Sequence, residues 1–210
     1  MKSKKHHHRK SMRLKGYDYT QAGAYFVTIC VNDRRHLLGK ITNGEMILNE
    51  PGEMVQQIWN EIPENYSGAD IDFSVVMPNH FHGIIILTGE NVGAPLVGAQ
   101  DGALEGTNEE KAGTRPAPTN RNFHLSQIVG EFKSLTTNEY ITGVKTKNWQ
   151  RFNKKFWQRN YYDHIIRNEW DLNRIRKYIY YNPLKWEYDR ENDNHIPVEE
   201  KKKFWNEFLA

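Results

Sequence analysis

Two groups of residues in this chain have the types and spacing for chemistry on a phosphate. The first is His80-Phe81-His82, at the start of an apolar run, FHGIIIL. In an extended strand, alternate side chains leave on opposite faces, so the two imidazoles project together while Phe81 turns towards a core. Two imidazoles on one face can chelate one cation, but they leave ligand positions for another protein group or for substrate oxygens. Two surface histidines would look the same. The second group is Tyr178-Ile179-Tyr180-Tyr181-Asn182. In a helix, positions i and i+4 share a face about 6 Å apart along the axis, so Tyr178 and Asn182 can address one point. Asn182 offers a neutral oxygen that suits a hard cation, and Tyr178 offers a phenol that can attack phosphorus once ionised. Arg174, at i−4 from Tyr178, lies on the same face and can bind phosphate. The competing reading for any one tyrosine is packing at a core or its rim.

These groups need a strand and a helix to hold them, and the pattern supplies both. Residues 24–32 (AYFVTICVN) read as a strand. Residues 51–62 read as a short helix, with Met54, Val55, Ile58, Trp59 and Ile62 on one face. Residues 71–77 and 81–87 read as an antiparallel hairpin turning at Pro78-Asn79. Residues 125–142 read as a helix, with Leu125, Ile128, Val129, Phe132 and Leu135 on one stripe. Residues 170–181 read as a second long helix, ended by Asn182-Pro183. Strands and helices mix without βαβ alternation, which predicts an α+β fold: an antiparallel sheet with helices packed on one face. Residues 89–122, rich in Gly, Ala, Pro and Thr, read as a flexible insertion, disordered or a substrate-dependent flap. The expected organisation is a basic arm at 1–15, one domain over 16–190 carrying that insertion, and a tail at 191–210.

Charge is distributed unevenly. Residues 1–15 carry seven Lys/Arg and no acid, and residues 143–190 carry twelve against five Asp/Glu, whereas residues 16–88 carry three against nine. Basic charge at the arm and the C-terminal third is a footprint for polyphosphate, although a solvated surface also produces charge runs. Trp149, Phe152, Phe156, Trp157, Tyr161 and Tyr162 interleave the basic stretch and favour nucleic acid, whose bases stack on aromatic faces. One cysteine, Cys30, excludes an intrachain disulfide and a Cys-rich zinc site and fits a reducing, cytoplasmic setting. No run of about 18 apolar residues is present to span a membrane, and no Gly-rich GK[ST] loop for ATP.

Taken together, MPNHFHGIII, EFKSLTT and FWQRNYYDHIIRNEWDLNRIRKYIYYNPLKW resemble the REP-associated tyrosine transposases, in the single-tyrosine branch of the His-hydrophobic-His nucleases. The opening RLKGYDYTQAGAYFVTICVNDRRHLLG is similar too, and the resemblance covers most of residues 12–188 outside the insertion. It implies a ferredoxin-like core, with the nucleophile on a C-terminal helix. It implies His80 and His82 as metal ligands, Tyr178 as nucleophile, Asn182 as a helper in metal binding, and Mg²⁺ or Mn²⁺ as cofactor. The implied substrate is single-stranded DNA hairpins of repeated palindromes or transposon ends, cut and rejoined through a 5′-phosphotyrosine, and the implied place is the bacterial nucleoid. Arg13, Lys15, Lys133, Arg159, His164, Arg174, Arg176 and Lys177 are the expected DNA contacts. Asp163 pairing is the competing role for His164, and a solvated helix face is the competing role for Lys133. A monomer and a homodimer are both compatible with one Tyr and one His pair per chain. Two other functions fit parts of the pattern. A derived protein that grips hairpins without cutting needs neither Tyr178 nor metal. A small-molecule metalloenzyme would use the His pair but leave the basic aromatic third and the Tyr-x-x-x-Asn helix without a role.

Overall fold

The computed structural model describes residues 14, 16–89, 123–193 and 195. Arg13, Lys15, nearly all of the insertion expected at 89–122 and most of the tail expected at 191–210 lie outside the described residues.

The elements run β1 (Gly23–Cys30), β2 (Gly39–Thr42), β3 (Glu45–Leu48), α1 (Glu50–Asn60), α2 (Ile62–Asn65), β4 (Ala69–Val76), β5 (His80–Leu87), α3 (Leu125–Thr146), β6 (Tyr162–Ile166) and α4 (Glu169–Tyr180). A 3₁₀ segment, Pro183–Tyr188, follows α4. Four strands form one sheet in the order β4-β5-β1-β6, antiparallel at each pairing. The two crossovers, β1-α1-β4 and β5-α3-β6, interleave, so each pair of parallel strands flanks a strand of the other unit. This is ferredoxin-like connectivity in an α+β fold. β2 and β3 form a separate hairpin.

Period-2 alternation divides the sheet between two cores. Tyr25, Val27, Ile29, Phe81 and Ile85 face α1 and α3, where they meet Val55, Trp59, Ile128, Val129 and Phe132. Gly83 lies in the same row, and a Cβ there would come within 2.3 Å of the Trp59 ring. Glycine at this position lets the indole approach β5 and lie 4.5 Å from the Phe81 ring. Phe26, Ile84, Ile86 and Ile166 face the other way, against Ile175 and Ile179 of α4. The helix carrying Tyr178 therefore packs on the sheet face opposite α1 and α3, whereas the sequence pattern placed the helices together on one face. The histidine face of β5 is thus the face that α4 covers.

Asparagine side chains cap two of the helices. The Asn49 side chain accepts from Gly52 N–H at the start of α1 (3.0 Å), and Asn168 accepts from Asp171 N–H at the start of α4 (2.8 Å). Each satisfies an amide that the helix leaves open.

A candidate metal and nucleophile site on the covered face of β5

His80 and His82 stand on the α4 side of the sheet and are fully or nearly fully buried. Burial holds both imidazoles neutral by pushing their pKa values down, and the charges of Asp189 and Glu191 partly offset this at His80. Their ring contacts bear on where the protons sit. The Asn79 amide donates to the carbonyls of Arg34 (3.1 Å) and Glu191 (2.7 Å), so its oxygen must face His80 Nδ1, 2.9 Å away. That oxygen can only accept, so Nδ1 of His80 carries the proton and Nε2 keeps a bare lone pair. Thr28, opposite His82 in the β1–β5 register, places its hydroxyl 2.8 Å from His82 Nδ1 and can accept there in the same manner. The two Nε2 atoms lie 3.0 Å apart. That is the separation of neighbouring ligands at a right angle with bonds of about 2.1 Å.

Tyr178, on the third turn of α4, brings its hydroxyl to 3.3 Å from His82 Nε2. Its ring meets His82 and Phe26 edge to face. Burial raises the phenol's pKa above its ordinary value and the Asp189 charge adds to this, while a hydrogen bond from Asn182 and the charge of Arg190 act in the other direction. Asn182 follows the last turn of α4 with helical backbone angles, φ −58° and ψ −44°, so the i, i+4 relation to Tyr178 persists past the helix end. Its side chain is buried, and its Oδ1 has no protein partner among the described residues.

A carboxylate completes the cluster. Asp189, just beyond the 3₁₀ segment, places Oδ2 3.8 Å from His80 Nε2. Potential ligand atoms of His80, His82 and Asp189 all lie within 4.8 Å of one another. Two imidazoles and a carboxylate form a donor set that fits a divalent cation. Beside them opens a cleft of about 320 Å³, lined by Thr28, His82, His164, Tyr178, Asp189 and Arg190.

Asp189, Arg190 and the orienting role of Asn79 were missed in the sequence. Asp189 and Arg190 stand at no diagnostic spacing from the histidines, and Asn79 read as turn chemistry. The expected basic residues divide into two sets. Lys177 and Arg159 are exposed. The others have partners within the protein. His164 Nε2 and Arg174 share Asp171, at 2.7 and 2.9 Å, and Arg174 also lies over the Trp170 ring. Asp163, the alternative partner for His164, accepts instead from the Tyr19 hydroxyl at 2.7 Å. Arg176 grips Asp72 on β4 through both carboxylate oxygens. The Lys133 ammonium donates to the carbonyls of Gln158 and Arg159, at 2.8 and 3.0 Å, and ties α3 to the loop before β6. Arg190 lies over the Tyr162 ring at 4.9 Å and lines the cleft.

No protein-family model matches this chain. A Haemophilus influenzae protein described as "Uncharacterized protein" is 38% identical over 187 residues, which is 88% of this chain and 93% of that protein. A second Haemophilus influenzae protein, described as "Putative REP-associated tyrosine transposase", is 24% identical over 172 residues, covering 81% of this chain and 76% of its own length. Among solved structures, a REP-associated tyrosine transposase bound to a REP hairpin aligns with a TM-score of 0.51 and 21% identity, over 85% of this chain and 77% of that one. Among the described residues, no helix is long and apolar enough to cross a membrane.

Proposed function

We propose that this chain, which belongs to one family with the 38%-identical Haemophilus influenzae protein and shares the fold of a REP-associated tyrosine transposase, cuts and rejoins single-stranded DNA with Tyr178 as nucleophile. The observation that carries the reading is the placement of the Tyr178 hydroxyl 3.3 Å from His82 Nε2, on the face where His80 and His82 converge. The partner that this reading favours is a DNA hairpin, the ligand named for the solved structural relative. Activity on chromosomal DNA would place the protein in the cytoplasm, at the nucleoid.

His80 and His82, with help from Asn182, would hold a divalent ion, Mg²⁺ or Mn²⁺, which would supply positive charge against the non-bridging oxygens of the scissile phosphate. The remaining steps belong to the protein's own groups. Tyr178 gives up its phenolic proton to solvent; burial and the Asp189 charge oppose the phenolate, and the Asn182 hydrogen bond and the Arg190 charge offset part of that. The phenolate oxygen attacks phosphorus. The Tyr–O–P bond forms, the P–O3′ bond breaks, and the departing 3′ oxygen takes up a proton. A 5′-phosphotyrosine and a free 3′-hydroxyl result. In the reverse sense, an incoming 3′-hydroxyl attacks the phosphotyrosine, and Tyr178 leaves and is reprotonated. Two matched transesterifications conserve the number of phosphodiester bonds, so no nucleotide triphosphate is consumed.

The test is a denaturing gel of the full-length protein incubated with labelled single-stranded hairpins from beside its own gene, with Mn²⁺ or Mg²⁺. A metal-dependent covalent band that disappears in Tyr178→Phe is the expected result. A band that persists in Tyr178→Phe moves the nucleophile to another tyrosine. Salt-sensitive hairpin binding with no band under any condition would make this a hairpin-gripping protein that does not cut.

A further inference from the structure

The segment that follows α4 places two buried carboxylates side by side in very different company. Glu191 meets the guanidinium of Arg34 at 3.3 Å and that of Arg190 at 3.2 Å. Asp189 has no such partner: among the described residues, no Lys or Arg nitrogen lies within 4.0 Å of its carboxylate. Its Oδ1 accepts the backbone N–H of Glu191 at 2.7 Å, which fixes the orientation of the group. Its Oδ2 points at the histidine pair but stops 3.8 Å from His80 Nε2, beyond hydrogen-bonding distance. His80 offers no proton there in any case, because Asn79 holds that proton on Nδ1. A buried carboxylate is ordinarily paired with a cation or bound to a metal. Potential ligand atoms of Asp189, His80 and His82 lie within 4.8 Å of one another, and the two Nε2 atoms are 3.0 Å apart, close enough for the three groups to surround one cation.

From this arrangement we infer that Asp189 is a protein ligand of the metal centre, completing a two-histidine, one-carboxylate set with His80 and His82. The inference rests on the metal-dependent reading above and adds a ligand to it. The 3₁₀ segment and its continuation are then part of the centre, because they bring Asp189 back over β5. Two contacts hold them there: Arg34 binds the Glu191 side chain, and Asn79 donates to the Glu191 carbonyl at 2.7 Å. Asn79 thus orients His80 with one side-chain atom and anchors the Asp189 segment with the other. A donor set that includes imidazole nitrogens also favours Mn²⁺ over Mg²⁺, which prefers oxygen ligands and retains its water.

The test is Mn²⁺ titration of the full-length protein in the absence of DNA, followed by electron paramagnetic resonance of free and bound ion. His80→Ala should abolish tight binding. Asp189→Asn keeps the oxygen that accepts the Glu191 amide, and should weaken Mn²⁺ binding at least tenfold, since loss of even an outer partner typically costs 10- to 100-fold. Asp189→Glu should recover part of that loss. A second measurement avoids substitution: wild-type protein labelled with ¹³C at its aspartate carboxyls should show ¹³C hyperfine coupling to bound Mn²⁺. Absence of that coupling, wild-type affinity in Asp189→Asn, or failure of the wild-type protein to bind Mn²⁺ would each overturn the assignment. Because no DNA is present, the result separates from strand cleavage. Mn²⁺ bound through Asp189 without any phosphotyrosine band would overturn the cutting reaction alone. A band accompanied by unchanged Mn²⁺ affinity in Asp189→Asn would overturn the ligand assignment alone.

Discussion

The side-chain oxygen of Asn79 lies 2.9 Å from Nδ1 of His80, and the amide nitrogen of the same side chain donates to two backbone carbonyls, so the proton on His80 is positioned by its neighbour in the chain. Asn79→Asp would replace the donating amide with a second acceptor facing those carbonyls, and Asn79→Ala would leave both carbonyls and Nδ1 without this partner. Either change should lower the affinity for Mn²⁺ by about 10- to 100-fold, as loss of an outer partner of a metal-binding histidine does elsewhere. Titration calorimetry against wild type, with folding checked by thermal melting, measures the effect.

Arg176 and Asp72 join α4 to β4, and the pairing holds the Asp72 carboxyl below its usual pKa despite partial burial. A carboxyl with a depressed folded-state pKa adds stability above the unfolded-state pKa, near about 4, and that contribution is lost as the pH falls through the folded-state value. Asp72→Asn should therefore destabilise the protein by about 1.5–3 kcal/mol at pH 7, the scale of a hydrogen bond to a charged group. The gap between variant and wild type should close as the pH drops below the ordinary carboxylate range. Denaturant melts of both proteins at neutral and acidic pH will show whether it does.

Gly83 separates His82 from Ile84 and leaves room for Trp59 on the other side of the sheet. In Gly83→Ala the new methyl group meets the indole, and overpacking of this kind costs about 1–3 kcal/mol. Urea unfolding reads the cost. Because the clash lies on the α1 face, Mn²⁺ affinity of the folded fraction should stay close to wild type.

Arg190 stands at the cleft with its guanidinium over Tyr162, and its side chain is 62% exposed. Arg190→Ala should weaken binding to a single-stranded oligonucleotide and flatten the dependence of log affinity on log salt by roughly 0.7, the share of one phosphate contact on a single strand. An unchanged slope would remove Arg190 from the DNA path.

Much of the site could be read from sequence because it rests on two short periodicities. Strand alternation around Phe81 places two histidines on one face, and the four-residue helical repeat from Tyr178 reaches Asn182 even though α4 itself ends at Tyr180. What escaped the reading lacks a period. β6 is five residues long with Asp163 and His164 in its middle, so its pairing with β1 outweighs a weak local strand pattern. The β2–β3 hairpin turns at Asn43-Gly44, but its strands are only four residues each. Asp189 reaches the histidines through a 3₁₀ segment, whose path no residue pattern announces. The placement of α4 on the opposite sheet face also depends on tertiary packing, since an amphipathic stripe says that a helix is covered but not by which side of a sheet.

The two unequal cores bear on how the molecule opens. The face beneath α1 and α3 is sealed by a large aromatic cluster, whereas α4 sets its Ile175 and Ile179 against Ile84 and Ile166 of the sheet, with a few partly covered neighbours. A helix held by so small a contact should exchange its amide hydrogens through local unfolding well before the central strands release theirs. Tyr178 then sits on a detachable piece, and an ion bridging His80, His82 and Asp189 would bind β5 to the segment that closes over it. Hydrogen exchange with and without Mn²⁺ should show protection rising in α4 and in residues 183–192 while β1 remains unchanged, so that loading the centre and ordering Tyr178 are one event.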